Sequence, residues 1–211
     1  MASGTTEGSS AGSRNEGDGR HRRRQRNRQA ALDALVALLD EGNLRPTAAE
    51  VAARAGLSAR SMFRYFDDVA DLHHEAIRHL TARVAPALAD LTIDPSTPLL
   101  QRVEALARAL DRLYAVVRTG ALAARLRAPD SQEVAEQIAL AREIIRGSLL
   151  ATFGPELQSR PARARRPLLA ALEIWCTFET QHLLRAQGAV EGVDPVKVTA
   201  MGMAALLARP A

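Results

Sequence analysis

Residues 47–66, TAAEVAARAGLSARSMFRYF, decide the fold of this chain. Thr47 and Glu50 have the spacing of a capping box, which predicts a helix start. Gly56 predicts a tight turn, and Ser58 predicts the start of the next helix. Small or apolar side chains stand where the two helices would cross and lock together: Val51, Ala52, Ala55, Leu57 and Met62. The segment therefore predicts a helix-turn-helix.

Apolar periodicity predicts helices on both sides of this segment. The helix before it, from about Arg22 to Gly42, has one apolar face formed by Leu32, Leu35, Val36 and Leu39. Residues 91–98 read as a linker and residues 160–167 as a Pro-bounded loop. Later helices are predicted to start near Asp67, at Thr97–Pro98, at a capping box of Asp130 and Glu133, at Leu168 and at Asp194–Pro195. No strand pattern occurs, so the predicted fold class is all-α.

Charge and composition narrow the class of protein. Apolar residues make up 47% of the chain, and the formal net charge is only +4. Residues 1–30 carry seven Arg against three acids, whereas residues 31–211 are balanced. The single cysteine, Cys176, excludes an intramolecular disulfide and a cysteine-based metal cage. With neither a signal sequence nor an apolar run long enough for a membrane span, we expect a soluble, cytoplasmic protein without membrane contact.

A longer match points to a family. Residues 55–66, AGLSARSMFRYF, follow the amphipathic helix and precede Asp-Asp-x-x-Asp-Leu72. This pattern resembles the TetR family of bacterial transcriptional regulators over roughly residues 24–86. The resemblance implies a three-helix DNA-binding head and a helical-bundle body that binds a ligand and dimerises. It also implies a homodimeric repressor of a palindromic operator on double-stranded DNA, released by a small-molecule effector of unspecified chemistry.

The expected domains follow from this resemblance and from composition. Residues 1–21 have almost nothing to bury and are expected to form a disordered basic tail. Residues 22–86 are the expected helix-turn-helix DNA-binding domain. Residues 87–211 are the expected helical ligand-binding and dimerisation domain, which matches the family only loosely.

The helix-turn-helix supplies the predicted DNA contacts. Arg60, on the first turn of the third helix, is the candidate for bidentate reading of guanine, a contact that discriminates by about 1–3 kcal/mol. Phe63 and Val69 stand where the family often has Tyr and Lys, and Asp67 and Asp68 make that edge acidic, which weakens phosphate binding. The predicted contact residues are Thr47, Ala48, Ala59, Arg60, Ser61, Phe63, Arg64 and Tyr65.

An arginine run at the N-terminal arm of the first helix can add to these contacts. Arg22, Arg23, Arg24 and Arg26 are predicted to reach the minor groove or adjacent phosphates. The alternative is a solvated basic tail.

The C-terminal helices carry the predicted dimer surface and effector pocket. Helices over 168–187 and 195–208 are apolar on more than one side, which favours a partner subunit over the buried centre of a monomeric bundle. Glu179 and His182 share a helical face, where they line a ligand pocket, form a protonation-sensitive dimer contact or, as we favour, make an ordinary interhelical hydrogen bond. The predicted pocket residues are Leu110, Tyr114, Trp175, Phe178, Glu179 and His182.

Enzymatic function is not expected. No phosphate-binding glycine loop, nucleophile elbow or zinc-protease helix occurs, so we expect no catalytic residues, metal ligands or cofactor. The alternative function is a helical ligand-sequestering or protein-interaction bundle that has lost operator reading. Val69 and the acidic edge of Asp67 and Asp68 motivate this alternative.

Overall fold

The computed structural model describes residues 11–67 and 69–208, and within them the chain is all-α without a strand, as expected. A short 3-10 helix, Ala128–Asp130, precedes the sixth α-helix. The α-helices are α1 Ala11–Asp40, α2 Ala48–Arg54, α3 Ala59–Met62, α4 Val69–Ala89, α5 Leu99–Arg127, α6 Gln132–Gln158, α7 Ala162–Cys176, α8 Phe178–Glu191 and α9 Pro195–Ala208. The chain divides into two compact units between His79 and Leu80, inside α4. The boundary predicted after residue 86 falls in the same helix.

The first unit is built on the C-terminal half of α1. Its predicted apolar face is buried, and Gly42 ends the helix with φ +92°. The core also contains Val51, Ala52, Met62, Tyr65, Phe66, Leu72 and Ala76. Apolar spacing along the sequence therefore located the α1 part of this core, whereas Tyr65 and Phe66 were not predicted to belong to it.

The start of α1 differs from the predicted start near Arg22. The helix begins at Ala11, inside the segment expected to be disordered, and residues 1–10 of that segment lie outside the described residues. Residues 21–26 are exposed, and from residue 21 onward Ala31 is the first buried residue of the helix. A helix that has already formed gains one hydrogen bond for each residue added to it. The packed C-terminal half of α1 can therefore support helix in the residues before it.

The second unit is a bundle in which α5 packs against α9 and α6 packs against α7. Its core draws on four helices, so no single helix pair accounts for it. The largest fully buried side chains include Leu106, Leu110, Leu149, Phe153, Leu172 and Met203.

The prediction of one continuous helix over 168–187 is wrong, because the helix is interrupted at Thr177. Thr177 has extended backbone angles (φ −65°, ψ 149°), and its hydroxyl oxygen accepts a hydrogen bond from the Thr180 N–H. A threonine that caps the following helix in this way starts a new helix rather than continuing the old one. The predicted Pro-bounded loop is also mostly helical, since α7 begins at Ala162. The N-terminal cap of α6 is Ser131 and not Asp130, because Asp130 is the last residue of the 3-10 helix.

The second unit contains a buried cation that the sequence pattern did not single out. The side chain of Arg102 is 5% exposed and forms an ion pair with Glu156. It also donates to the backbone carbonyls of Thr97 at 2.7 Å and Thr152 at 2.6 Å. Its guanidinium carbon lies 5.7 Å from the centre of the Phe153 ring. Arg102 thus joins α5 to α6 through several hydrogen bonds.

Candidate functional sites

Both helices of the predicted helix-turn-helix, α2 and α3, have side-chain caps at their N-termini. The Thr47 N–H donates to Glu50 at 2.7 Å, and the Glu50 N–H donates to the Thr47 hydroxyl at 3.3 Å. The bond from the Thr47 backbone holds the pKa of Glu50 below its ordinary value. The predicted capping box is therefore formed, and it engages the hydroxyl of Thr47, one of the predicted DNA-contact residues.

The turn between α2 and α3 uses the left-handed conformation that favours glycine. Gly56 has φ +67°, and the Leu57 N–H donates to the Ala52 carbonyl at 2.9 Å. Ser58 then caps α3 by accepting the Ser61 N–H at 3.1 Å, and the two hydroxyls lie 2.9 Å apart. The helix is four residues long and is anchored by buried Met62.

The predicted base-reading residues lie on the exposed side of α3 and of the turn after it. Ala59, Arg60 and Arg64 are exposed, and Phe63 is 58% exposed. The partly buried members of the predicted set are Ala48 and Ser61. An exposed guanidinium beside an exposed ring can meet both polar and apolar groups of a partner.

Tyr65 differs from the rest of the predicted set because it belongs to the core. It is 8% exposed, and its hydroxyl oxygen accepts hydrogen bonds from Asn27 at 2.8 Å and Arg64 at 3.2 Å. These two hydrogen bonds lower the pKa of Tyr65, and the bond from Asn27 has the larger effect. The residue therefore ties the turn after α3 to α1. Asn27 was missed by sequence reasoning because no local pattern pairs it with a residue so distant in the chain.

The arginine run divides into two parts on α1. Arg22, Arg23, Arg24 and Arg26, the predicted arm, are exposed. Arg28, two residues further, instead forms an ion pair with Glu75 at 2.6 Å and lies 5.6 Å from the centre of the Phe66 ring. The exposed run ends where α1 starts to pack.

Four of the six predicted pocket residues form one cluster between α5 and α8. Phe178 stacks on Tyr114 and on His182, with ring centres 5.5 Å apart in both pairs. The Tyr114 hydroxyl and His182 Nδ1 are 2.6 Å apart, which is the interhelical hydrogen bond that we favoured for His182. Arg125 donates to Glu179 at 2.6 Å, and this bond holds the pKa of Glu179 below its ordinary value.

Two arginines that the sequence analysis missed flank this cluster. The guanidinium of Arg125 lies 4.2 Å from the centre of the Phe178 ring, and that of Arg185 lies 3.9 Å from the centre of Tyr114. Arg185 also forms an ion pair with Asp111. Both arginines bridge α5 and α8, so no spacing within a single helix could have predicted them. Burial outweighs the nearby cations and raises the pKa of Tyr114.

The remaining two predicted pocket residues lie elsewhere. Leu110 belongs to the core, whereas Trp175 packs against α9 at Gly202, where an added Cβ would stand 2.2 Å from the indole ring. A cleft of about 360 Å³ opens instead between α6 and α7. Its lining, which includes none of the six, consists of Leu150, Gly154, Leu157, Gln158, Arg165, Arg166 and Leu169.

The exposed apolar side chains of the second unit are not confined to the predicted dimer surface. Ile174, Leu183 and Met201 are 58–68% exposed within the two predicted segments. Others lie on α5 and α6: Leu100, Val116, Leu126, Leu140, Ile144 and Leu150. Exposed apolar surface therefore extends well beyond the C-terminal helices.

Neither metal chemistry nor a membrane span is evident in residues 11–67 and 69–208. No group of three His, Cys, Asp or Glu side chains there could hold a metal ion. No helix in that part of the chain is both long and apolar enough to cross a membrane. Comparison of the chain with protein-family models, curated proteins and solved structures found no match.

Proposed function

We propose that this protein is a homodimeric transcriptional regulator that represses a palindromic operator and releases it on binding a small molecule. The observation that carries the proposal is the doubly capped α2–turn–α3 unit, which presents Arg60 on the exposed first turn of α3. A helix-turn-helix reads bases with the N-terminal residues of its second helix. Such a regulator acts in the cytoplasm.

Exposed positive charge in the first unit supports DNA as the partner. Arg60 is exposed on α3, Arg64 is exposed just after it, and the arginine run from Arg22 to Arg26 is exposed on α1. Arg60 reads guanine in this proposal, whereas the run binds phosphate or the minor groove. In a homodimer the two heads occupy half-sites about 34–36 Å apart.

The body supports effector binding through the cluster around Phe178. Its rings stack beside the guanidinium groups of Arg125 and Arg185, which an anionic effector would contact in place of Glu179 and Asp111. Exposed Leu183 and Met201 provide apolar surface for the partner subunit on the C-terminal helices. Effector binding that shifts α8 against α5 would alter the dimer and with it the spacing of the heads.

The test is selection of binding sites from random duplex DNA, followed by affinity measurements on the enriched site and on a scrambled site. Arg60→Ala should weaken binding to the enriched site roughly 5- to 150-fold, the equivalent of about 1–3 kcal/mol. Binding to the scrambled site should change less than about two-fold. Arg108→Ala, which removes an exposed arginine from α5, is the matched control and should change neither.

Two results would contradict the proposal. Equal loss on both DNAs would remove the reading role of Arg60, and failure to enrich any palindrome would remove operator binding altogether. The second result would favour a ligand-sequestering or protein-interaction bundle. The exposed ring of Phe63 beside exposed Asp67 favours this alternative, because both are unfavourable against phosphate.

A further inference from the structure

The α6 helix carries an apolar face that residues 11–67 and 69–208 leave exposed. Leu140 is 55% exposed, Ile144 is 38% exposed and Leu150 is 47% exposed. Gly147 lies between them and Ala151 directly after them on the same side of the helix, and both are also exposed. Their spacing follows the helical repeat, so the exposed positions form one continuous stripe. A contiguous apolar stripe of this kind marks an interaction surface.

Gly147, in the middle of this stripe, is not explained by packing within the chain. A glycine in a helix interior destabilises the helix relative to alanine. A Cβ added at Gly147 would meet no atom of the described residues within 4 Å outside its immediate helical surroundings. At Gly202, by contrast, the ring of Trp175 fills the place of the missing side chain. Close approach by a second backbone accounts for a glycine at position 147.

The stripe leads at its C-terminal end into the cleft of about 360 Å³ between α6 and α7. Leu150, Leu157 and Leu169 form its apolar lining. Arg165 and Arg166 also line it, and both are exposed. The cleft therefore suits an apolar side chain that arrives with an acidic neighbour.

We propose that the occupant is a second copy of this chain, with the two α6 helices packed antiparallel about a two-fold axis at Gly147. In such a pair, each position before Gly147 lies opposite the position equally far after it. Leu140 stands seven residues before the axis, about 10 Å along the helix. Gly154 stands seven residues after it, one residue beyond the kink that the non-helical backbone of Phe153 (φ −113°, ψ 20°) puts into α6. Leu140 of each copy thus reaches the cleft of the other.

Charge supports a second copy over an unrelated apolar partner. Glu136 and Glu143 are exposed on the side of the stripe that carries Leu150 and Gly154. In an antiparallel pair related by a two-fold axis, this side of one α6 helix lies next to the same side of the partner's α6 helix. The two helices run in opposite directions there. Glu136 then lies near the partner's Arg166. The stripe supplies both halves of a self-complementary surface.

This surface is separate from the C-terminal helices of the proposed function, so the two can be tested independently. Gly147→Cys places a thiol on the proposed axis, where two copies can form a disulfide. The native Cys176 does not compete for this disulfide, because it is buried. Its burial, with a smaller contribution from the negative charge of Glu173, raises the pKa of its thiol to about 12. Leu100→Cys, on exposed α5 and outside both proposed subunit surfaces, is the matched control for random collision.

Under mild oxidation at low micromolar concentration, Gly147→Cys should crosslink at least roughly ten times faster than Leu100→Cys, because paired helices hold the two thiols at a high effective concentration. Comparable rates, or faster crosslinking of Leu100→Cys, would overturn the proposal. The comparison requires no DNA, so failure of operator binding does not affect it.

A second pair of variants uses sedimentation equilibrium and separates association from folding. In a Met201→Arg background, which places a charge in the predicted C-terminal dimer surface and leaves α6 intact, Gly147→Leu should preserve or raise the urea midpoint while weakening self-association at least about ten-fold, because only the partner occupies that space. Glu136→Arg should also weaken association, and adding Arg166→Glu should restore it. Unchanged association in Gly147→Leu, or no restoration in the double variant, would overturn the pairing.

Discussion

Replacing Arg102 with methionine tests whether its buried hydrogen bonds hold α5 to α6. Methionine keeps an unbranched apolar stem but removes the guanidinium and its bonds to Glu156 and to two backbone carbonyls. Loss of one partner of a buried ion pair costs about 3–5 kcal/mol of the free energy of unfolding. The side chain of Glu156 remains 18% exposed, so water reaches it in part, and we expect the lower end of this range, about 3 kcal/mol.

The assay is urea unfolding followed by fluorescence of Trp175, the only tryptophan, which lies in the second unit. Arg108→Met is the matched control, because Arg108 lies on the same helix and pairs with Glu104 while both side chains are more than half exposed. An exposed pair contributes at most about 1 kcal/mol. A difference of less than about 1 kcal/mol between the two variants would refute the reasoning.

The same pair predicts a pH dependence. Burial raises the pKa of Glu156, but the hydrogen bonds from Arg102 outweigh it and hold that pKa below its ordinary value. A carboxyl with a lowered folded-state pKa contributes stability above its unfolded pKa and loses it as pH falls through the folded value. The advantage of the native protein over Arg102→Met should therefore narrow as pH falls below the ordinary glutamate pKa. A constant gap down to pH 3 would contradict the role of the carboxylate.

Three further substitutions have expected outcomes. Thr47→Ala removes the cap of α2 and should lower the stability of the first unit by about 1 kcal/mol, measured by hydrogen exchange of the α2 amides; unchanged exchange would contradict it. Tyr114→Phe removes the bond to His182 but keeps the ring, and should cost about 1 kcal/mol in urea unfolding, where a loss above 3 kcal/mol would point to another role. Gly202→Ala forces a Cβ against Trp175 and should cost about 1–3 kcal/mol with a shifted emission spectrum, whereas an unshifted spectrum would argue against the contact.

The local signals of the first unit were readable from the sequence. The capping box at Thr47, the turn at Gly56 and the apolar face of α1 depend on residues close together in the chain, so short-range spacing carried them. The break at Thr177 was missed because apolar periodicity continues across it and outweighed the weaker signal of a capping threonine.

The candidate effector cluster was predictable only in part. Glu179 and His182 share one helical face, and that spacing pointed to a common site. Arg125 and Tyr114 reach the same site from α5, more than 50 residues away, as the pairs separated by 54 and 68 positions show. No periodicity within one helix encodes such a pairing.

The amino-acid sequence by itself determined the helical class, the caps at Thr47 and Ser58 and the turn at Gly56, because each follows from neighbours within a few residues. Tertiary structure decided that Tyr65 ties the turn after α3 to α1, that Arg102 is a buried ion-pair partner, and that α6 keeps an uncovered face around Gly147. Burial is a property of the assembled helices, and a side chain's chemistry depends on what has been packed against it.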